Sequence, residues 1–416
     1  MRRRGVVMVI VLAALAGVLA GIAIYSMNQN DAVRTTVNRN EQRRARLAAE
    51  AGIQYALTAL QTVTDTPEDP VTLGDDWAIL GNTGADYFVV GNSSFRLQVM
   101  DNSSFLDINT LTEEALTNLP LTQEQIDSFL DWREAGSTPR TEGGKDEYYN
   151  NLTKPYNSRQ GRFQTVNELL LVKGWTADTL YQLQTNTINT GRTNNTVPLI
   201  DLLGIDCYSS SYNPDGDGKQ YINQANLNAQ QLAQTSQIPI QTATAIINAR
   251  NQQPNQQFQR LSQVLTVPGV SNNQQVIRNV LDRMTLAPAT RVEGLVNINT
   301  ATAETLSYIP GITEDQANQI VDSRPSDGYQ QLSEVLTVSG DASFLAAAAD
   351  TLTVNTQSFI VRVVGKAGRM TVALEALVAI TNRVPTIVRV EESSFANMPE
   401  RWSWAEEANE TTILEK

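Results

Sequence analysis

Hydrophobic positions along the chain fall into three regimes. The first is an unbroken uncharged run from Val6 to Met27, preceded by Arg2, Arg3, Arg4 and Gly5. As a helix those residues would rise about 33 Å, enough to cross a hydrocarbon core of roughly 30 Å. The run is longer than the apolar region of a secretory signal peptide. Arginines stand on both sides of it, so charge asymmetry does not set its orientation. From Asn28 to Val63 there is no proline, and Val33, Val37, Leu47, Ile53, Leu57 and Leu60 recur at loosely helical spacing. Thr64 to Pro70 carries the stop signal. One continuous helix, membrane-embedded below and amphipathic above, is predicted.

The second regime is strand-like. Tyr87–Val90 and Phe95–Val99 flank a Gly91-Asn92 turn, and Phe359–Val364, Met370–Val378 and Thr386–Val390 follow near the C-terminus. The third regime, between these blocks, is a degenerate repeat. Its clearest copy reads Val296-Asn297-Ile298-Asn299-Thr300, then Leu306, Ile309-Pro310-Gly311-Ile312, Ala317, Ile320 and Arg324. An earlier copy runs from Leu106-Asp107-Ile108-Asn109-Thr110 through Leu119-Pro120-Leu121 to Arg133, and a third from Ile222-Asn223 to Arg250. Each is followed by a second unit in which Phe163, Phe258 or Tyr329 precedes Gly174, Gly269 or Gly340 by 11 residues.

The pattern is that of two short helices crossing at a tight turn, the helix-hairpin-helix. Asn299-Thr300 reads as the first N-cap, Pro310-Gly311 as the turn, and Thr313 as the second cap. Pro120 marks the first turn without a glycine, and Gln237 stands where Gly311 does. The recurring Arg133, Arg250 and Arg324 read as caps of the carbonyl end of the second helix. The expected fold is therefore α+β. A long N-terminal helix packs on a small antiparallel sheet, interrupted by an all-α insertion.

Composition narrows the function. With no histidine among 416 residues there is no imidazole base and no His-containing metal site, and one cysteine, Cys207, permits no intramolecular disulfide. A net charge of −13 opposes a polyanionic partner. Helix-hairpin-helix units commonly bind DNA through turn amides and flanking basic residues. Here Thr313-Glu314-Asp315 and Thr122-Gln123-Glu124 follow the turns, and carboxylates there repel phosphate.

Basic residues, a glycine and then a long apolar helix resemble the leader and stem of type IV pilins and type II secretion pseudopilins. The resemblance implies prepilin peptidase cleavage after Gly5 and methylation of the new N-terminus at Val6. The usual fifth mature residue is glutamate, whose place is taken by Ile10. A glutamate inside an apolar bundle must neutralise a neighbour's amine, and a subunit without it has no such need. Lack of that glutamate, with helical repeats inserted in the pilin domain, resembles the largest minor pseudopilin family, general secretion pathway protein K.

The resemblance implies a layout of leader (1–5), membrane part of the stem (6–27), periplasmic stem (28–63), first strands (64–105), helical insertion (106–355), last strands (356–392) and acidic tail (393–416). It implies a non-enzymatic subunit of the inner membrane, with its bulk in the periplasm, that initiates or caps a pseudopilus. Its partners would be other minor pseudopilins, the secretion platform and the prepilin peptidase, with no nucleic acid. The rival is a membrane-anchored DNA-uptake receptor, which predicts a short basic domain rather than a long acidic one.

No cofactor is required by this reading, but calcium is expected as a candidate. Asn213-Pro214-Asp215-Gly216-Asp217-Gly218 alternates oxygen ligands before a glycine turn, although Gln224 stands where an EF-hand has glutamate. Asp206, Asp215 and Asp217 are the expected ligands, encouraged by calcium binding in the helical domain of related tip pseudopilins. Asp65, Glu68, Asp69, Asp75 and Asp76 read as a solvated acidic loop, Cys207 as a small buried side chain, and the tail as mobile with Trp402 and Trp404 as its large anchors.

Overall fold

The computed structural model describes residues 3–65, 69–183, 197–289, 291–393 and 402–404. The uncharged run and the amphipathic run form one helix, α1 (Arg3–Asp65), of 63 residues, about 95 Å at 1.5 Å per residue. Met8–Met27 within it is long and apolar enough to cross a membrane, and none of it is covered by the rest of the protein.

The upper third of α1 packs on a five-stranded antiparallel sheet in the order β1-β2-β3-β4-β5. The strands are β1 (Phe88–Val90), β2 (Ser93–Asp101), β3 (Ser358–Ala367), β4 (Met370–Thr381) and β5 (Val384–Ser393). Tight turns join the sequential pairs, with Val90 opposite Ser93, Ala367 opposite Met370 and Thr381 opposite Val384. Ala45, Ala48, Ala49, Ile53, Ala56 and Leu60 of α1 meet Leu97, Val99, Phe359, Val361, Val363, Leu374 and Val378 in one core. Small residues on the helix allow close approach. A Cβ on Gly365 would clash with the Ala45 carbonyl and stand 2.6 Å from the Ala49 nitrogen.

β2 and β3 are adjacent, with Asp101 opposite Phe359. The insertion between them therefore leaves and returns at one end of the sheet, and the hydrogen-bonded ladder stays intact. It has its own hydrophobic core. The hairpin helices are α2 (Glu113–Asn118) and α3 (Gln123–Arg133), α4 (Ala229–Thr235) and α5 (Ile240–Gln252), then, after α6 (Gln274–Arg283), α7 (Ala303–Ser307) and α8 (Glu314–Asp322), followed by α9 (Ala342–Thr351).

The insertion is not all-α as the periodicity predicts. Each copy opens with a two-residue strand that pairs in parallel with a two-residue strand after its last helix. Leu106-Asp107 pairs with Leu203-Gly204, Gln220-Tyr221 with Met284-Thr285, and Val296-Asn297 with Leu352-Thr353. The next residue repeats one bond, from the Ile108, Ile222 and Ile298 amides to the Gly204, Thr285 and Thr353 carbonyls at 3.0, 3.1 and 2.9 Å. Each repeat is thus a closed module.

Two further expectations change. Residues 394–401 and 405–416 of the expected tail lie outside the described residues, but its anchors Trp402 and Trp404 are held in place. They are buried against Val364 and Ala373, and the Trp404 indole donates to Gln98 Oε1 at 2.9 Å. Asp75 is no solvated carboxylate either, since it accepts from the Thr72 amide (2.9 Å) and the buried Trp77 indole (3.0 Å).

Candidate functional site

Each module is wired by the same two side chains. Asn109, Asn223 and Asn299 pair with the backbone of the aromatic residue that opens the second unit. Their Oδ1 atoms accept from the Phe163, Phe258 and Tyr329 amides at 2.8, 3.0 and 2.7 Å, and their Nδ2 atoms donate to the same residues' carbonyls at 3.2, 2.9 and 3.0 Å. Asn299 is therefore a latch between the two units. The N-cap of α7 is Thr302, which accepts from the Thr305 amide at 3.1 Å.

The recurring arginines do not cap their own helices. Arg133 donates to the Ile108 and Leu111 carbonyls (3.2 and 2.8 Å), Arg250 to those of Ile222 and Gln224 (3.0 and 2.9 Å), and Arg324 to those of Ile298 and Ala301 (2.6 and 2.9 Å). Each reaches back from the end of its hairpin to the turn that begins it, satisfying carbonyls that the short strand leaves open.

The turns follow from local chemistry. Gly311 has φ +90° and Gln237, at the matching position, φ +53°. A glutamine in the left-handed region is strained relative to glycine. Thr122 and Thr313 close capping boxes with Gln125 and Gln316. Pro120 is buried in the first turn. Gly311 abuts α9, where a Cβ would lie 2.6 Å from the Ser343 carbonyl oxygen. This turn faces another helix of its own module.

The junction between sheet and insertion is a buried polar network. Asp101, the last residue of β2, accepts from the Ser103 amide (2.7 Å), Asn297 Nδ2 (2.8 Å) and Thr300 Oγ1 (2.5 Å). Burial pushes the Asp101 carboxyl up, against the pull of these donors. Asn102 Nδ2 reaches the Ile205 carbonyl at 2.8 Å, and Ser103 Oγ lies 2.9 Å from Thr356 Oγ1. The end of module 1, the start of module 3 and the return strand converge here. Close by, Asp107 accepts from the Cys207 and Asn109 amides, both at 2.8 Å, and burial raises its carboxyl to about 7. Cys207 is fully buried and its thiol is pushed up by the same desolvation, so it is no nucleophile. Sequence alone missed this network, because isolated Asp, Asn, Ser and Thr residues far apart in the chain carry no periodic signal.

The expected calcium ligands do not converge. Asp206 accepts from Arg162 (3.4 Å) and from the Tyr208 hydroxyl (3.3 Å), whereas Asp215 pairs with Arg283 and accepts from Gln237 Nε2 at 3.2 Å. Asp217 closes the loop through its backbone, its carbonyl accepting from the Asn213 amide at 2.7 Å. Among the described residues no three Asp, Glu or Cys side chains are grouped to hold a metal ion.

At the other end of the molecule, Gly5 and Val6 lie within the continuous helix, which begins at Arg3, and Ile10 is 63% exposed on its apolar part.

A pilin-like stem and sheet carrying a helical insertion of closed helix-hairpin-helix modules define the class. Residues 108–187 match the family model for type II secretion system protein K, and residues 292–347 match the helix-hairpin-helix motif. The structure is similar to the crystal structure of the GspK-GspI-GspJ complex from the enterotoxigenic Escherichia coli type 2 secretion system. The TM-score is 0.53 at 12% identity, covering 87% of this chain and 100% of that chain. No curated protein sequence matches the chain. Residues 108–187 are thus similar to protein K of the type II secretion system, and the chain shares its fold with the matched chain of that complex.

Proposed function

We propose that the protein initiates or caps the pseudopilus tip through protein–protein contacts, and that it does no catalysis. The observation that carries this is the insertion itself. Residues 102–357 leave and return at one end of the sheet as three modules, the third bonded to Asp101 and the end of the first to Asn102. In a filament whose subunits stack through their stems, a body of that size occupies the place of the next subunit, and fits at an end.

Ile10 supports the same reading, because an aliphatic side chain there needs no neighbouring amine to neutralise it. The span Met8–Met27 fits a single inner-membrane anchor, with the modules in the periplasm. Processing by prepilin peptidase between Gly5 and Val6 would precede assembly on the secretion platform. The structurally similar protein is named in a complex with GspI and GspJ, and other minor pseudopilins are the partners we propose. The DNA-uptake alternative is disfavoured because the third turn abuts α9 and Glu314 and Asp315 open the helix beyond it.

The test is Ile10→Glu. The variant is expected to tolerate or require a preceding subunit, read as altered pseudopilus number and loss of tip placement by site-specific crosslinking. Unchanged assembly and placement would refute this account of Ile10. A gel shift with duplex DNA at low salt is expected to show no micromolar binding.

A further inference from the structure

We infer that Arg283 is the resident cation of the Asn213–Gly218 loop, so that module 2 closes on an internal ion pair where the loop's sequence suggests a divalent metal. The loop has oxygen donors at alternate positions before a glycine, yet the Asn213 side-chain oxygen and both Asp215 carboxylate oxygens are already committed. Asn213 Oδ1 accepts from the Asp215 and Asp217 amides at 2.9 and 3.1 Å, an Asx turn that folds the loop on itself. Both carboxylate oxygens of Asp215 accept from the Arg283 guanidinium, Oδ1 at 3.2 Å, and Gln237 Nε2 adds a third donor. The Arg283 side chain is only 10% exposed and that of Asp215 49%, so the cation is the inner partner and the carboxylate the outer one. The guanidinium beside it holds the Asp215 carboxyl below the usual carboxylate range. A planar fork matching two carboxylate oxygens is what a guanidinium supplies and an ammonium does not.

The position explains why the pair is there. Arg283 is the last residue of α6, and the next two residues, Met284-Thr285, pair with Gln220-Tyr221 to close the module. Asp215 lies on the chain leading into that pairing, with the Lys219 amide donating to the Ser211 carbonyl at 2.8 Å on the way. The ion pair therefore clamps the loop against the closing strands, as a bridging metal would, and needs no ion from solution. Asp206 is held elsewhere by Arg162 and Tyr208 and adds no ligand.

The experiment compares thermal unfolding of the detergent-solubilised full chain in chelator and in millimolar calcium chloride, with calcium titrated by calorimetry. We expect midpoints within about 2 °C of each other and no heat of binding, since a ligand that binds only the folded state raises its midpoint. A calcium-dependent rise of several degrees with measurable binding would overturn the inference. A second arm uses Arg283→Gln, Asp215→Asn and the double variant in chelator. Each single change is expected to lower the midpoint, and the double change to lower it no further than the worse single one, the signature of a direct pair. Additive losses would show that the two residues do not clamp each other. If Arg283→Gln fails to fold, Asp215→Asn still tests the clamp, since an unchanged midpoint overturns it.

Discussion

Three arginines and three asparagines in matching places hold the modules closed. Arg324, two residues past the end of α8, satisfies the Ile298 and Ala301 carbonyls. Arg324→Met is expected to leave both short of a partner and to destabilise by roughly 2–3 kcal/mol, read from the urea midpoint. The equivalent changes at Arg133 and Arg250 are expected to act in the same direction. The recurrence of these arginines was plain in the sequence, but their role was not. Spacing places a side chain on a helix, whereas its reach back to the preceding turn depends on how the hairpin folds.

Asp107 gives a pH signature. Its folded value of about 7 lies above the ordinary 3.8, because burial disfavours the charge. Below about pH 4 both folded and unfolded chains hold the proton; between about 4 and 7 the unfolded chain releases it first. Stability contributed by this group is thus present at low pH and lost as pH rises through that window, by roughly 1.4 kcal/mol per unit. Asp101 is shifted in the same direction. Asp107→Asn is expected to flatten part of the slope between pH 5 and 7.5, at the constant cost of one acceptor for the Cys207 amide. An identical slope in wild type and variant would remove Asp107 from the account.

Among elements, the helix–sheet seam is the most constrained contact. Gly365 sits where β3 crosses α1 at backbone distance, with Ala45 and Ala49 opposite. Gly365→Val is expected to force the stem off the sheet and cost more than about 3 kcal/mol, whereas Gly91→Ala, in open space, should cost about 1 for its positive φ alone. Thermal midpoints of the two variants compare these directly.

The stem, the five strands and the three hairpins were all legible, since each rests on a period of 3.6 or 2 sustained over many residues or on a repeated turn. The parallel two-residue strands were not, because two residues have no period and their partners lie far along the chain. Thr302 was likewise missed as a cap because the Asn299-Thr300 pair looked equally suitable. The structure uses Asn299 for the latch to Tyr329 instead.

For the whole molecule, the junction decides whether stem and modules behave as one body. Asp101→Ala would remove the acceptor shared by the Ser103 amide, Asn297 Nδ2 and Thr300 Oγ1 and is expected to split a single unfolding transition into two, the sheet and the modules melting apart. The indoles of Trp402 and Trp404 lock the far face of the same sheet. Little of this was visible beforehand, because a network drawn from Asp101, Asn297, Thr300 and Thr356 exists only once the insertion has folded back.

The acidic charge and absent histidine, exclusions at first, accord with a subunit whose work is assembly. Native mass spectrometry of the protein extracted from the membranes of cells expressing its own secretion genes tests that claim most directly. The account predicts a mature chain beginning at methylated Val6, bound to other minor pseudopilins. A chain still carrying Met1–Gly5, or one recovered without any pseudopilin, would contradict it.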